Sequence, residues 1–146
     1  MSAEPPPHAF HAVYEQELSY VHHSLRRLGV PPKDADDLTQ EVFVTAFQKF
    51  DAYDRARPLR PWLFGIAFRV ASGFRNQVRH EREVPGELPE LEDPGSAPDE
   101  AVAARQAREL VLRALEPLHP DRKAIFILHD IDGCSVPQAA EALAVP

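Results

Sequence analysis

The stretch Arg60-Pro-Trp-Leu-Phe-Gly-Ile-Ala-Phe-Arg-Val-Ala-Ser-Gly-Phe-Arg-Asn-Gln-Val-Arg-His-Glu-Arg82 carries two periodicities at once. Leu63, Ile66, Ala67, Val70 and Phe74 recur at steps of three and four, which lines them up on one buried face of a helix. Arg69, Asn76 and Arg79 fall at steps of seven and three on another face, with Arg75 and Arg82 adjoining. Pro61 suits the first turn, where its missing N–H costs nothing. Gly73 weakens the helix by up to ~1 kcal/mol relative to Ala, which packing can absorb. Such a helix needs other helices against its apolar stripe and solvent or an anion against its cationic one.

Upstream, Val13, Tyr14, Leu18, Val21, Leu25 and Leu28 give a second amphipathic helix, stopped by Gly29 and Pro31-Pro32. Residues 1–9, with Pro5, Pro6 and Pro7, are expected to be a disordered tail. A further helix is expected from about Asp34, whose carboxylate can cap free N–H groups, to Phe50, with Leu38, Val42, Thr45, Ala46 and Phe50 near one face. Asp51 to Arg60, punctuated by Pro58, reads as a loop. Downstream, residues 83–100 hold four prolines, two glycines and no basic residue, and read as an acidic linker. Beyond it come helices over Ala101 to Leu115, from Pro120 or Asp121 through Leu128, and over Val136 to Leu143, with a turn at Asp132-Gly133. No alternating strand pattern of useful length occurs. The expected class is all-α, an N-terminal helical bundle over 10–82 and a smaller helical unit over 101–146.

Composition narrows the function. At 146 residues the chain excludes large multi-domain enzymes. No apolar run approaches the ~20 residues that cross a bilayer, and Met1 to Phe10 lacks a signal-peptide pattern, so a cytoplasmic protein without membrane insertion is expected. One cysteine, Cys134, allows no internal disulfide and no CxxC zinc site. The net charge of −7 hides a strong division: residues 55–82 carry seven arginines against one acidic residue, and residues 83–100 carry seven acidic residues and no basic one.

Enzymatic and metal readings fail on spacing. If Gly133 took the sixth position of a calcium loop, Leu128 and Ala139 would stand where carboxylates are needed. His129 and Cys134 are two ligands where zinc needs four. No Gly-rich phosphate loop, G-x-S-x-G or H-E-x-x-H is present. Neither a catalytic residue, a metal nor a cofactor is expected. Two other constellations remain. Asp34, Asp37 and Glu41, with Gln40 beside them, form an acidic ridge that suits a basic partner or is simply a solvated helix start. The arginines from Arg55 onward, interleaved with Tyr53 and Trp62, suit phosphates and unstacked bases, with a solvated basic face as the alternative. Trp62 by itself reads more readily as core than as a base platform.

These constellations occur in one order that resembles the extracytoplasmic-function group of bacterial sigma factors, in the sigma-70 family. DADDLTQEVFVTAF is similar to that family's region 2.2 signature, and RPWLFGIAFRVA to region 2.3 and the start of 2.4. LHPDRKAIFILHDIDGCSVPQAAEALAVP resembles region 4. The resemblance covers about Phe10 to Arg82 and Leu110 to Pro146, which makes 10–82 a sigma region 2 and 101–146 a region 4.

The resemblance implies that Asp34, Asp37, Leu38, Gln40 and Glu41 dock on the clamp helices of the largest subunit of core RNA polymerase. It implies that the loop containing Asp51, Tyr53, Arg55 and Arg57 receives a flipped base of the promoter minus-ten element. Arg60, Trp62, Arg69, Arg75, Asn76, Arg79 and Arg82 would then hold the upstream edge of the melted DNA. It also implies an anti-sigma factor as partner. The family often has Asn where Arg69 stands and Asp where Gly73 stands, so no upstream base preference carries over. Members continue beyond the position of Pro146 into a recognition helix, so the helix-turn-helix is expected to be incomplete and not to read the minus-thirty-five element. The alternative is an interaction module that binds an anti-sigma factor or core polymerase without supporting transcription. A helix-turn-helix repressor is disfavoured by a Val136 to Leu143 segment without basic residues, and a small hydrolase by the missing nucleophile motif.

Overall fold

A computed structural model describes residues 7–81 and 99–143. Residues 1–6, Arg82 and most of the expected acidic linker lie outside the described residues. Those described form six α-helices and no strand: α1 Pro7–Arg27, α2 Pro32–Lys49, α3 Leu59–Glu81, α4 Asp99–Leu115, α5 Pro120–Phe126 and α6 Val136–Ala142. A 3-10 turn, Phe50–Ala52, follows α2, and α5 runs into a π-helical stretch, Ile127–Ile131.

Several boundaries differ from the sequence reading, each for a local reason. α1 begins at Pro7, inside the expected tail, because a proline without an N–H is compatible with a first helical position. Likewise α2 begins at Pro32, with Pro31 as N-cap and no side-chain cap, so Asp34 sits in the first turn instead of capping it. α3 begins two residues before Pro61, which still lies in the first turn. The end of α1 is a Schellman motif: Val30 N–H donates to the Leu25 carbonyl and Gly29 N–H to that of Arg26, both at 3.0 Å. Gly29 supplies the required left-handed backbone, at φ 101°.

α1, α2 and α3 pack pairwise into a bundle. Its core takes Val21 and Leu25 from α1 and Leu28 just past its end, Val42, Phe43 and Ala46 from α2, and Leu63, Phe64, Ile66 and Ala67 from α3. Each fully buried side chain of this size contributes ~1.5–3 kcal/mol from the apolar surface it withdraws from water.

The C-terminal helices do not form a separate core. Ala124, Ile127, Leu128, Cys134, Ala139 and Leu143 join the cluster of the bundle. α6 lies on α3, and α4 lies on α1. Large apolar side chains nonetheless remain exposed beyond residue 101, Leu110 of α4 at 66% and Val136 of α6 at 61%. The physical reason is size: α5 and α6 have seven residues each and cannot enclose an apolar core unaided. Within the π stretch, Asp132 N–H donates to Ile127 O at 2.9 Å, one residue further back than an α-helix allows. Asp132 is thereby turned to α1, where its Oδ2 accepts from the Tyr20 hydroxyl.

Candidate nucleic-acid interface

The loop between α2 and α3 is organised by aromatic rings. Tyr53 and Trp62 meet edge to face, with ring centroids 4.6 Å apart, and Phe50 lies 6.1 Å from Tyr53 and 6.3 Å from Trp62. Phe10 extends the row, 5.4 Å from Phe50 and 5.2 Å from Phe47. The loop backbone is held by Asp54, whose Oδ1 accepts from Ala56 N–H at 3.0 Å, and by the Tyr53 hydroxyl, which donates to the Arg57 carbonyl. Burial, reinforced by the Asp54 charge, raises the Tyr53 hydroxyl pKa. Tyr53 and Trp62 are half-buried, and they line a cleft of about 430 Å³ together with Ala52, Asp54, Arg57, Arg69 and Glu141.

The predicted arginines divide into three groups. Arg69, Asn76 and Arg79 are exposed along α3. Arg55 and Arg57 are exposed on the loop, Arg55 over the Phe50 ring at 5.7 Å and Arg57 paired with Asp54 and Glu141. Arg60 and Arg75 are committed elsewhere. Arg60 Nε donates to Glu17 at 2.8 Å and its guanidinium covers the Tyr20 ring at 4.8 Å, tying α3 to α1. Arg75 is half-buried, donates to Ser72 Oγ at 3.0 Å, and faces α5, with burial and nearby Arg79 lowering its pKa against the pull of Asp121. Buried Lys123 of α5 sits in the same neighbourhood, its pKa lowered by burial and by Arg75. The structure therefore separates the unbroken basic stripe of the sequence into a free part and a part that joins helices.

The acidic ridge is real on α2: Asp37, Gln40 and Glu41 are exposed and Asp34 half-exposed. Gln40 donates to the Tyr14 hydroxyl at 2.8 Å. Leu38 lies on the apolar face of the helix, as its spacing predicts. It is 9% exposed and belongs to the core, so it backs the ridge from below. Two outward apolar residues, Val44 and Phe47, extend the ridge at 57% and 58% exposure. Periodicity hid them because they stand off the buried face. Gln138, Glu141 and Ala142, which line the aromatic cleft from α6, left no signal in sequence, since only the tertiary fold brings them there.

Residues 13–80 match the family model Sigma-70 region 2, and residues 108–146 match Sigma-70, region 4. The chain is 30% identical to the RNA polymerase sigma factor NccH of Alcaligenes xylosoxydans xylosoxydans over 97% of its length and 78% of that protein's. It is 36% identical to the RNA polymerase sigma factor CnrH of Cupriavidus metallidurans, spanning 66% of that relative. It also spans 66% of the ECF RNA polymerase sigma-E factor of Escherichia coli, at 27% identity. The solved structure of CnrH in complex with the cytosolic domain of CnrY aligns with a TM-score of 0.65 and 27% identity, over 95% of this chain and 75% of that one. RpoE of Bartonella quintana, solved with the anti-sigma factor NepR, shares the fold at a TM-score of 0.70 and 21% identity, over 94% of this chain and 84% of that one.

Proposed function

The chain belongs to the sigma-70 family of RNA polymerase sigma factors, in its extracytoplasmic-function group, and from that premise we propose how its surfaces divide the work of starting transcription. The exposed ridge of Asp37, Gln40 and Glu41, with Val44 and Phe47 beside it, docks on the clamp helices of core polymerase. The cleft of Tyr53 and Trp62 receives an unpaired base of the minus-ten element, and Arg57, Arg69 and Arg79 hold the adjoining phosphates. Melting a duplex costs stacking and pairing energy, and an aromatic contact returns about 1–3 kcal/mol per unpaired base. Arginine adds a salt-dependent gain through released counterions.

The observation that carries this reading is the edge-to-face pair of Tyr53 and Trp62 on the wall of a cleft that also holds Arg57 and Arg69. Arg60 and Arg75 act in it as positioning residues that hold α3 on its neighbours. The protein carries out no bond chemistry of its own and works in the cytoplasm with polymerase and promoter; among the described residues no helix is long and apolar enough to cross a membrane. An anti-sigma factor is a further partner, a reading supported by the complex of the related CnrH with the cytosolic domain of CnrY.

Run-off transcription with purified core polymerase tests the assignment. The native chain is expected to initiate, Trp62→Ala to bind core but melt poorly, and the double variant Asp37→Lys, Glu41→Lys to lose core binding. Core binding by the native chain without initiation would favour the interaction module instead.

A further inference from the structure

A cleft between α1 and α4 shares no residue with the aromatic one and holds about 430 Å³, within the ~300–1,000 Å³ of small-molecule sites. Four of the described residues that line it are arginines, Arg26 and Arg27 from the last turn of α1 and Arg105 and Arg108 from α4, and one, Glu109, is a carboxylate. In a chain of net charge −7 this is a local reversal of sign. His23 on the cleft wall registers it: burial lowers its pKa, and the charges of Arg27, His22 and Arg108 lower it further.

Nearby acceptors leave most of that charge in place. Asp132 comes no closer to Arg27 than 3.9 Å, and Asp36, which pairs with His22 at 3.4 Å, is 92% exposed at the side chain. Arg26 donates from Nη1 to the Val30 carbonyl at 2.7 Å, a neutral acceptor. Two arginine pairs that face each other from neighbouring helices repel, and an anion between them turns the repulsion into attraction. Each guanidinium presents a planar fork of N–H donors that fits phosphate oxygens two at a time.

The rest of the wall is apolar. Val111 is 40% and Ile131 37% exposed, with Leu112 half-buried beside them. Phosphate alone would leave this surface wet, whereas a flat organic ring would withdraw it from water. We propose that the cleft binds a nucleoside polyphosphate, its phosphates held by Arg26, Arg27, Arg105 and Arg108 and its base laid on Val111, Leu112 and Ile131. The site is independent of the promoter reading, which uses none of these residues. Arginines converging on one concave volume match clustered phosphates better than phosphates spaced along a strand.

Isothermal titration calorimetry of the full chain with ATP and with GTP, at near-physiological salt, tests the site. Saturable binding of at least one nucleotide is expected, with inorganic tripolyphosphate about tenfold weaker for want of the base. Gln has nearly the helix propensity of Arg, so circular dichroism of Arg108→Gln and of the double variant Arg105→Gln, Arg108→Gln should stay native. Each should weaken nucleotide binding by about tenfold or more, as loss of charge-assisted hydrogen bonds requires. Val111→Ser should weaken the nucleotide and leave tripolyphosphate unchanged. Arg113→Gln, exposed on α4 outside the cleft, makes the same charge change and should match the native chain. No saturable nucleotide binding, unchanged affinity in the double variant, or an equal loss in Arg113→Gln would overturn the proposal. Tripolyphosphate binding as tightly as the nucleotide would overturn it in favour of a bare polyanion. A short random-sequence single-stranded DNA that binds more tightly than the nucleotide, and loses that advantage in the double variant, would overturn it in favour of nucleic acid.

Discussion

The Tyr20 hydroxyl donates to Asp132 Oδ2 at 2.7 Å, joining the first helix of the bundle to the end of the π stretch across 112 residues of chain. Arg27 approaches the other carboxylate oxygen at 3.9 Å. Tyr20→Phe removes the donor and leaves a half-buried carboxyl with only the Arg27 and Arg60 charges to compensate it. Urea unfolding is expected to show a loss of about 1.5–3 kcal/mol, the range for a hydrogen bond to a charged group. A midpoint equal to that of the native chain would show that water replaces the phenol.

The same contact has a pH signature. Burial raises the Asp132 pKa above 3.8, outweighing the Tyr20 hydrogen bond and the Arg27 and Arg60 charges, and Asp132 in turn contributes to the raised pKa of the Tyr20 hydroxyl. The folded carboxyl therefore binds its proton more readily than the unfolded one. Its contribution is fully present below the unfolded pKa and declines as pH rises through the folded pKa. Stability of the native chain should gain from this group on acidification toward pH ~4, and Asp132→Asn should remove that part of the slope.

His23 works in the opposite sense. Partial burial, with Arg27, His22 and Arg108 nearby, lowers its pKa from 6.5. It lines a second cleft between α1 and α4, with Arg26 and Arg105 on the walls. Its contribution is present above the unfolded pKa and is lost as pH falls through the folded one. Protection factors of the α4 amides, which allow for the slower intrinsic exchange at lower pH, should fall from pH 7 to pH 5. His23→Gln should flatten that response, and an unaltered response would place the sensitivity elsewhere.

Gly29→Ala tests the Schellman stop. At φ 101° an alanine pays about 1–2 kcal/mol of backbone strain, while its Cβ would meet Lys123 Nζ at an ordinary 3.6 Å. Chemical denaturation should show that loss with an unchanged m-value. Gly133→Ala, at φ 79° with nothing within 4 Å, should cost a similar amount by the same mechanism.

Phe64 is among the largest wholly buried side chains of the core. Phe64→Ala should cost about 3–5 kcal/mol, a large share of the ~5–15 kcal/mol that holds an ordinary domain folded. Phe64→Leu should remain folded. Thermal melts of the two variants distinguish a cavity effect from a general intolerance at this position.

Helix existence and the acidic ridge were legible because both follow from spacing within one element. Leu63, Ile66 and Ala67 are buried as their period requires, and Asp37 and Glu41 are exposed as theirs requires. Helix starts were less legible, since Pro7 and Pro32 read as breakers although each occupies a position where a proline's missing N–H is harmless. Tertiary commitments were not legible at all. Nothing in the spacing distinguishes Arg60 and Arg75, which join helices, from Arg69 and Arg79, which face solvent. The partners that decide it, Glu17 and α5, are remote in sequence. Trp62 shows the limit from the other side: it is half-buried, packed edge to face on Tyr53 and also lining the cleft, a position that spacing alone does not assign.

The π stretch Ile127–Ile131 makes chain length itself a determinant of how the two halves meet. A π turn is one residue more than an α turn, and one residue of helix turns the chain by about 100°. Deleting a single residue between 127 and 131 would relax the stretch to α-helix and swing Asp132 away from Tyr20, together with everything that follows it, α6 included. Descendants of this sequence can therefore exchange side chains along that stretch far more freely than they can change its count, and an alignment gap there would mark a protein whose halves no longer meet in this way.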